Sequence, residues 1–463
     1  MQVPVHAFRE YDIRGIVDQE LTESMAEGLG RAIGTTVRRG GGRTVVVGCD
    51  CRTSGPKLTR GMLAGLASTG CEAVDIGTVP TPVGYWAIQH LKADGGVQIT
   101  GSHNPPEYNG FKLTLLGKSL HGPDIQALRK LMERDDFERA KGSSRRQPIL
   151  DNYIDELAKN LRPAKRKLKV VIDAGNGTGG IAALPLYKKL GYDVTPLYCE
   201  MDGTFPNHHP DPTVEENIAE LKETVRKKKA DIGLAFDGDA DRVGVVDDRG
   251  EVVWGDKLMI LLSRAVLKEK PGATIIGEVK CSKTLYDDIK KHGGKPIMWR
   301  TGHSLIKSKM KQEAAELAGE MSGHIFFKHR YYGFDDGVYA GGRLLELVGE
   351  QDKPVHRLLD DVPKTLATPE IRFDCPDDIK FKVVAQAVEH FQKGQATGGY
   401  QVIDIDGARV EWSDGWGLVR CSNTQPILVM RFEAQSDARL KEIESVFRKE
   451  IERLKSALEA DPK

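Results

Sequence analysis

Short apolar segments of strand length recur along the chain, and each runs into glycine or polar residues before a stretch of helix length. Three similar units begin with such strands, at RTVVVGCD (43–50), LKVVIDAGNG (168–177) and ATIIGEVK (273–280). Each unit continues with a helix, a second strand introduced by glycine, another helix, and a third strand that enters a polar loop. Alternating strands and helices predict an α/β fold with parallel strands and crossover helices.

In each unit the third loop leads directly into a further extended segment: FKLTLL (111–116), RVGVVDD (242–248) or HIFF (324–327). Because no helix intervenes, each return strand is predicted to be antiparallel to the strand before it, so each sheet is mixed. Ligands of α/β sheets bind beyond the carboxyl ends of the strands. The three polar loops are therefore expected to line one shared cleft.

Two segments interrupt the pattern and are interpreted as linkers, at 139–148 and 360–378. The residues from 365 onward show a different order of strand, helix, hairpin, strand and helix, ending in an amphipathic helix from Asp437 to about Leu458. We predict three related mixed-sheet α/β domains plus a smaller C-terminal α+β domain around a central cleft. The predicted domain bounds are 1–148, 149–251, 252–364 and 365–463.

Composition narrows the class of protein. The 67 basic and 67 acidic residues give a formal charge of zero, which argues against nucleic-acid and anionic-membrane partners. Charged residues at the N-terminus and the lack of a long apolar run argue against a secretion signal and a membrane span. Seven cysteines without a C-x-x-C pair are interpreted as reduced thiols, so a cytoplasmic protein is expected. Its 50 glycines, about 11% of the chain, predict many tight loops.

The first polar loop, TGSHNPP (100–106), contains a serine between glycine and histidine. Two prolines stop any helix, and Gly101 permits an unusual backbone angle, so Ser102 is expected to be exposed on a rigid turn. A hydroxyl presented beside His103 is suited to act as a nucleophile or a phosphate carrier. An ordinary polar turn is the alternative interpretation.

The second polar loop is DGDADR (237–242), in which three carboxylates alternate with small residues. Oxygen atoms of Asp237, Asp239 and Asp241 are able to converge on one hard cation such as Mg²⁺. An EF-hand needs glycine at position six and glutamate at position twelve, where this chain has Arg242 and Asp248, so that interpretation fails. An exposed acidic turn remains the simpler alternative.

Two further loops offer groups for a sugar phosphate. GEMSGH (319–324) combines a carboxylate, a hydroxyl and an imidazole, which suit sugar hydroxyls. RCSNTQP (420–426) combines a cation with side chains that bind oxyanions, and a capped turn is its alternative interpretation. The segment 175–180 matches the G-x-G-x-x-G dinucleotide pattern, with Glu200 further on, but an oxidoreductase would leave the other loops unexplained. We expect its glycines to serve close packing.

Together, FREYDIRG (8–15), TGSHNPPEYNGFK (100–112), DGDADR, GEMSGH and RCSNTQP resemble the motifs of the α-D-phosphohexomutase superfamily, and most closely those of its bacterial phosphomannomutase/phosphoglucomutase members. The motifs occur in the family's order and span nearly the whole chain. The resemblance implies four domains and reversible phosphoryl transfer between the 1- and 6-positions of mannose and glucose phosphates. It further implies a phosphoserine enzyme and a hexose 1,6-bisphosphate that serves as intermediate and activator.

The resemblance also implies roles for particular residues. Ser102 would carry the phosphoryl group and complete a Mg²⁺ site made by Asp237, Asp239 and Asp241. Catalytic roles around it are implied for Arg242, Lys112, His303 and His103, with Lys112 or His303 moving protons. Substrate-binding roles are implied for Tyr11, Arg14, Lys280, His303, Glu320, Ser322, His324, Arg420, Ser422, Asn423 and Thr424. The expected partners are hexose phosphates, and the expected assembly is a monomer or a weak homo-oligomer.

Two alternatives remain open. A phosphoglucosamine mutase would resemble the same family, but its relatives tend to carry ASHNP, DGDGDR and GEQSGH, whereas this chain has TGSHNP, DGDADR and GEMSGH. The difference favours neutral hexoses. A non-catalytic sugar-phosphate binding protein would need neither Ser102 nor the three aspartates.

Overall fold

The computed structural model describes residues 3–423 and 426–460. In this part of the chain the strands form four separate sheets, one in each of four successive regions. The first three sheets mix parallel and antiparallel strands, and the fourth is antiparallel throughout. The predicted fold class, three mixed-sheet α/β domains plus a C-terminal α+β domain, is confirmed.

The first domain contains a sheet with strand order β1-β5-β4-β2-β3-β7 and with β6 paired to β5. Its strands are β1 (Ile13–Ile16), β2 (Thr44–Cys49), β3 (Glu72–Thr78), β4 (Gly95–Ile99), β5 (Tyr108–Leu115), β6 (Lys118–Ser119) and β7 (Ser143–Arg146). Its helices are α1 (Glu23–Arg39), α2 (Gly55–Ser68), α3 (Thr81–His90) and α4 (Pro123–Arg134). The return strand β5 is antiparallel to β4, as predicted.

The second and third domains repeat this plan with fewer strands, in the orders β12-β11-β10-β8-β9 and β14-β13-β15-β16. The second contains α5 (Leu150–Asn160), β8 (Lys169–Asp173), α6 (Gly179–Lys189), β9 (Asp193–Leu197), α7 (Ala219–Lys228), β10 (Ile232–Phe236), β11 (Val243–Val246) and β12 (Val252–Val253). The third contains α8 (Gly255–Glu269), β13 (Thr274–Glu278), α9 (Lys283–Lys291), β14 (Lys295–Trp299), α10 (His303–Glu313), β15 (Leu317–Gly319), β16 (Ile325–Phe327) and α11 (Gly337–Gly349). Their return strands β11 and β16 are antiparallel to β10 and β15, as predicted.

The fourth domain packs two helices against its antiparallel sheet, in which β18 also pairs with β22. Its elements are β17 (Leu366–Ala367), β18 (Ile371–Asp374), α12 (Lys380–Gly398), β19 (Gln401–Ile403), β20 (Ala408–Glu411), β21 (Gly415–Cys421), β22 (Ile427–Ala434) and α13 (Asp437–Ala460). The final helix begins where the pattern predicts. Ile443, Phe447 and Ile451 form its buried stripe, since residues three or four apart share one face of a helix.

The two predicted linkers are partly wrong, because each contains strands. Ser143–Arg146 forms β7, which pairs in parallel with β3, and Leu366–Ala367 and Ile371–Asp374 pair with β22. All four residues of β7 are exposed, so this edge strand shows no alternation of apolar and polar side chains. Backbone pairing alone defines it, and hydrophobic periodicity does not detect it.

The apolar cores divide the molecule unevenly. One continuous core joins residues of the first, second and third domains, including the fully buried Trp86, Tyr187 and Tyr339. The fourth domain has a core of its own and meets the third through a small cluster around Val279 and Trp416. All seven cysteines are unpaired. No helix within 3–423 or 426–460 is long and apolar enough to cross a membrane.

Candidate active site

The loop TGSHNPP (100–106), here called the serine loop, follows the carboxyl end of β4 and is covered by the second domain. Ser102 is 1% exposed and has a φ of 50°, a left-handed conformation that non-glycine residues rarely adopt. Its backbone N–H donates to Thr100 Oγ1 at 2.8 Å. Gly238 belongs to the loop DGDADR (237–242), here called the metal loop. A Cβ on Gly238 would lie 2.4 Å from the Ser102 carbonyl oxygen, so the metal loop lies directly over the serine. The expectation of an exposed Ser102 is therefore wrong, because a loop from another domain buries it.

Arg52 holds the serine loop in place from beneath. Its guanidinium is completely buried and pairs with Asp50, 3.1 Å from Nε to Oδ2. Its Nη atoms donate to the backbone carbonyls of Ser102, Asn104, Pro105 and Tyr108. Asp50 also accepts from Thr100 Oγ1 at 2.9 Å. Neither Asp50 nor Arg52 is among the site residues predicted from the sequence, although Asp50 ends the first strand segment. An acid and a base close behind an apolar strand are the signal that could have indicated a buried ion pair.

The three aspartates of the metal loop converge beside the serine. Asp237, Asp239 and Asp241 are each fully buried, and one ligand oxygen from each lies within 4.8 Å of the others. Ser102 Oγ donates to Asp237 Oδ2 at 2.8 Å. Oδ1 of Asp239 and Oδ1 of Asp241 have no hydrogen-bond partner among the described residues. Buried carboxylate oxygens without partners fit a hard divalent cation.

Cations already compensate part of this negative charge. Lys112 Nζ donates to Asp239 Oδ2 at 2.8 Å and also to Asp241, while Arg242 Nε lies 3.8 Å from Asp237 Oδ2. Burial raises the pKa of Asp237 well above its usual range, and the neighbouring carboxylates add to this rise. Burial alone would lower the pKa of Lys112, but the carboxylates outweigh it and raise that pKa. Three buried acids against two cations leave room for further positive charge.

Thr81, at the start of α3, links the metal loop to the first domain. Its Oγ1 donates to Asp239 Oδ2, and its backbone N–H donates to the Asp239 carbonyl at 2.9 Å. The side chain is completely buried. Thr81 is absent from the motifs that the sequence singles out, because a threonine beside prolines resembles any helix start.

His324 connects the loop GEMSGH (319–324), here called the sugar loop, to the metal loop. Arg242 Nε donates to His324 Nε2 at 2.9 Å, and the two residues form an isolated antiparallel bridge. Glu320 is 4% exposed and accepts from the Gly302 backbone at 2.8 Å. Ser322 Oγ donates to Glu320 Oε2 at 3.0 Å. A carboxylate and a hydroxyl in contact present both acceptor and donor atoms to a polar ligand.

Two other histidines lie beside these groups. His103 Nδ1 lies 3.3 Å from Ser102 Oγ, and His303 begins α10 and stacks on His324 with ring centroids 5.9 Å apart. Burial lowers the pKa of His103 well below its usual range, and Arg242 adds to the effect. Burial also lowers the pKa of His303 well below its usual range, and the positive charge of Lys307 adds to the effect. Both imidazoles are therefore neutral near pH 7.

A second group of predicted residues comes from the first, third and fourth domains. Tyr11 Oη donates to the Thr301 carbonyl at 2.9 Å and accepts from Asn423 Nδ2, so it joins the three domains. Burial raises the pKa of Tyr11 to about 12. Arg14 Nη1 donates to Asn104 Oδ1 at 2.5 Å, beside the serine loop. Tyr11 and Arg14 thus lie where the domains meet.

Two of the predicted substrate-binding cations, Arg420 of the RCSNTQP loop and Lys280 after β13, have acidic partners. Arg420 Nε donates to Asp406 Oδ2 at 2.9 Å, and Lys280 Nζ donates to Glu370 Oε2 at 3.0 Å. Ser422 is buried, and its carbonyl accepts from Lys380 Nζ at 2.7 Å. Thr424, also predicted, lies outside the described residues.

The G-x-G-x-x-G segment is accounted for by packing. A Cβ on Gly177 would lie 2.6 Å from the Gly238 carbonyl oxygen, and one on Gly180 would lie 2.2 Å from the Cys199 carbonyl oxygen. Thr178 N–H donates to the same Gly238 carbonyl at 3.0 Å. Gly177 lets the turn approach the DGDADR loop, and Gly180 lets it pack against Cys199, so close packing explains the segment.

A buried serine hydrogen-bonded to an acidic cluster, with lysine and arginine around it, is the arrangement of a phosphoryl-transfer site. Comparison with known proteins agrees. Sequence models of phosphoglucomutase/phosphomannomutase match α/β/α domain I at 5–139, α/β/α domain II at 151–250, α/β/α domain III at 254–366 and the C-terminal domain at 370–450. The chain belongs to the phosphoglucomutase/phosphomannomutase family and has the phosphohexomutase fold.

Individual relatives match along almost their full length. A phosphomannomutase/phosphoglucomutase of Pseudomonas aeruginosa is 46% identical over 98% of this chain and 97% of its own. One of Pseudomonas putida is 47% identical over 99% and 98% of the two chains. A crystal structure of a phosphoglucomutase/phosphomannomutase family protein from Burkholderia thailandensis superposes with a TM-score of 0.92, at 42% identity and 98% coverage of each chain. Because these full-length relatives are phosphomannomutases/phosphoglucomutases, which are isomerases, the protein is an enzyme of the isomerase class.

Proposed function

We propose that the protein interconverts the 1- and 6-phosphates of mannose and glucose through a phosphoserine at Ser102. The observation that carries this proposal is the 2.8 Å hydrogen bond from Ser102 Oγ to Asp237, inside a buried triad of carboxylates. A hydroxyl on a strained, immobilised turn beside a cation site is suited to hold a phosphoryl group. The names of the relatives support the sugar substrates.

The proposed reaction has two transfers. In the first, the P–O bond to Ser102 Oγ breaks while a sugar hydroxyl oxygen forms a new P–O bond; the enzyme takes the hydroxyl proton and Ser102 Oγ gains a proton. The resulting hexose 1,6-bisphosphate reorients within the cleft. In the second, its other phosphoryl group passes from the sugar oxygen to Ser102 Oγ, which loses its proton, and the freed sugar oxygen is protonated by the enzyme. His303, whose imidazole is neutral, is the proposed proton acceptor, and Lys112, whose ammonium is stabilised by the carboxylates, is the proposed proton donor.

Mg²⁺ is the proposed cation, held by Asp237, Asp239 and Asp241 together with an oxygen of the phosphorylated Ser102. When bound, it supplies positive charge that neutralises the oxygens of the transferring phosphoryl group. Arg242 adds a second positive charge beside Asp237, and His103 flanks the serine. Transfer between two oxygens then depends on positioning and on electrostatic stabilisation.

The remaining predicted residues are proposed to bind the substrate. Glu320, Ser322 and His324 would contact sugar hydroxyls, and the phosphate that is not reacting would be bound by Arg420, Ser422, Asn423 and Thr424. Further substrate contacts are proposed for Tyr11, Arg14, Lys280 and His303. Because hydroxyl and phosphate contacts of this kind depend little on sugar direction, they suit an intermediate that binds in two orientations. We further propose that the protein is cytoplasmic and is a monomer or a weak homo-oligomer. Its four domains are proposed to have the bounds 1–148, 149–251, 252–364 and 365–463.

An assay on three sugars tests the proposal against phosphoglucosamine mutase. Purified enzyme, Mg²⁺ and a trace of glucose 1,6-bisphosphate are expected to interconvert the 1- and 6-phosphates of mannose and glucose. Turnover of glucosamine phosphate alone would overturn the choice of sugar. No turnover of any of the three, with binding retained, would favour a non-catalytic sugar-phosphate binding protein.

A further inference from the structure

Asp335 lies beneath the active site and belongs to none of the motifs discussed above. It is completely buried, and its backbone forms an isolated antiparallel bridge with Phe326. Its Oδ2 lies 3.1 Å from His324 Nδ1, while Asp241 Oδ1 lies 3.6 Å from the same nitrogen. The charged side chain thus faces His324 on the side away from Arg242.

The hydrogen bonds of His324 determine where its ring proton lies. A guanidinium has donors only, so the 2.9 Å contact from Arg242 Nε requires a lone pair on His324 Nε2. A neutral imidazole carries one proton, which must then lie on Nδ1, opposite Asp335. Nε2 is thus matched by the Arg242 donor. Nδ1 faces the Asp335 carboxylate at 3.1 Å without the alignment of a hydrogen bond, so the carboxylate acts on the Nδ1 proton through its negative charge.

We propose that Asp335 is a positioning residue that holds His324 in its Nδ1–H tautomer, so that Nε2 accepts from Arg242 and directs the guanidinium towards Asp237 and Ser102. The inference rests on the proposed function in one respect, namely that Arg242 faces the transferring phosphoryl group. Asp335 itself touches no reacting atom and acts through His324.

Lys307 explains why a carboxylate is needed. Its ammonium lies 3.0 Å from Asp335 Oδ1 and occupies one oxygen, which leaves Oδ2 for His324. The same ammonium lies 4.0 Å from the ring centroid of Tyr85 in the first domain, so it is held from both sides. His303 Nδ1, 3.9 Å from Oδ2, is beyond hydrogen-bond distance.

The cluster of Asp241, His324 and Asp335 also has the spacing of a metal site. A metal on His324 Nδ1 would need the lone pair there and would place the ring proton on Nε2, against the Arg242 N–H. Lys307 already provides a positive charge for Asp335. The observed contacts therefore favour a tautomer-setting carboxylate over a metal ligand.

Asp335→Asn is the discriminating variant. An asparagine has one carbonyl and one amide NH₂, and the Lys307 ammonium, which only donates, takes the carbonyl. The NH₂ then faces His324 Nδ1 and favours a proton on Nε2, where it opposes Arg242. In Asp335→Asn combined with Lys307→Met, the amide is free to turn its carbonyl to His324, which restores the original tautomer.

Nitrogen-15 NMR of histidine-labelled enzyme measures the tautomer, with His324→Gln to assign the signals. We expect Nδ1–H in the wild type, Nε2–H in Asp335→Asn and Nδ1–H in the double variant. In parallel, kcat falls about 10- to 100-fold in Asp335→Asn and recovers in the double variant, with KM little changed. Asp336→Asn, a neighbouring buried aspartate, is the matched control and leaves both readouts unchanged.

An Nε2–H tautomer in the wild type would overturn the inference, as would an Asp335→Asn enzyme that retains Nδ1–H or full kcat. If Asp335→Asn does not fold, the wild-type tautomer still decides. A wild type without mutase activity would instead contradict the proposed function. The tautomer measured by NMR does not depend on that activity, so it would still test the role of Asp335.

Discussion

Replacing Arg52 by lysine is the substitution whose consequence the structure defines most fully. The guanidinium makes five hydrogen bonds in a completely buried position, one to Asp50 and four to backbone carbonyls around the serine. A lysine ammonium has three donors at one point, so at least two of these five hydrogen bonds are lost. Each lost hydrogen bond to a charged group costs about 1–3 kcal/mol.

The expected loss of unfolding free energy is therefore about 2–6 kcal/mol for Arg52→Lys. Two of the affected carbonyls belong to Ser102 and Asn104, so the loop that presents the hydroxyl shifts. A displacement on the order of 1 Å at a reacting group lowers kcat about 100-fold. Both effects come from one cause, because the same contacts stabilise the fold and fix the serine.

Urea unfolding followed by tryptophan fluorescence, together with kcat on glucose 1-phosphate, measures both effects. Arg60→Lys is the matched control, because Arg60 lies on α2 close in sequence, pairs with Glu23 and is largely exposed. An exposed pair of this kind contributes about 0–1 kcal/mol. If Arg52→Lys behaved like Arg60→Lys in both assays, the assignment of Arg52 as the support of the serine loop would be refuted.

Three further predictions follow from the site and its surroundings. Ser102→Ala is expected to lose the single phosphate that intact-mass measurement finds on the wild type before phosphatase treatment; phosphate retained in the variant would exclude Ser102 as carrier. Asp239→Asn is expected to lose activity even at saturating Mg²⁺, and full activity would remove the triad from the mechanism. Burial raises the pKa of Asp336 to about 6. Because the folded protein holds this proton more tightly than the unfolded chain, wild-type stability falls by about 3 kcal/mol as pH rises from about 4 to above 6. Asp336→Asn lacks this loss, so parallel unfolding curves for the two proteins across that range would contradict the prediction.

The periodic parts of the fold are predictable from the sequence. The apolar residues within Lys169–Asp173 form a buried strand, and the absence of a helix before Val243–Val246 correctly predicts an antiparallel return strand. Strand β7 is not predictable in this way, because its side chains are exposed and only its backbone pairs. Periodicity reports side-chain burial and is insensitive to a strand without it.

Part of the candidate site is likewise predictable from the sequence, and part of it is not. The acidic loop is recognisable from the sequence, since three carboxylates within five residues indicate a cation site once they are buried. The burial of Ser102 depends on Gly238 of another domain, and the partners of Arg52 are backbone carbonyls that no side-chain pattern reveals. Asp335 lies eleven residues beyond His324, and only the fold brings it to 3.1 Å from that imidazole. Contacts between distant segments therefore require the structure.

Transfer of a radiolabelled phosphoryl group tests the central claim most directly. Phosphatase-treated enzyme is incubated with labelled glucose 1,6-bisphosphate and Mg²⁺, digested, and its peptides are separated. The account predicts one labelled peptide, containing Ser102, whose label passes to sugar when mannose 1-phosphate or glucose 1-phosphate is added. A wild-type enzyme that turns over both sugars without ever labelling that peptide would contradict it.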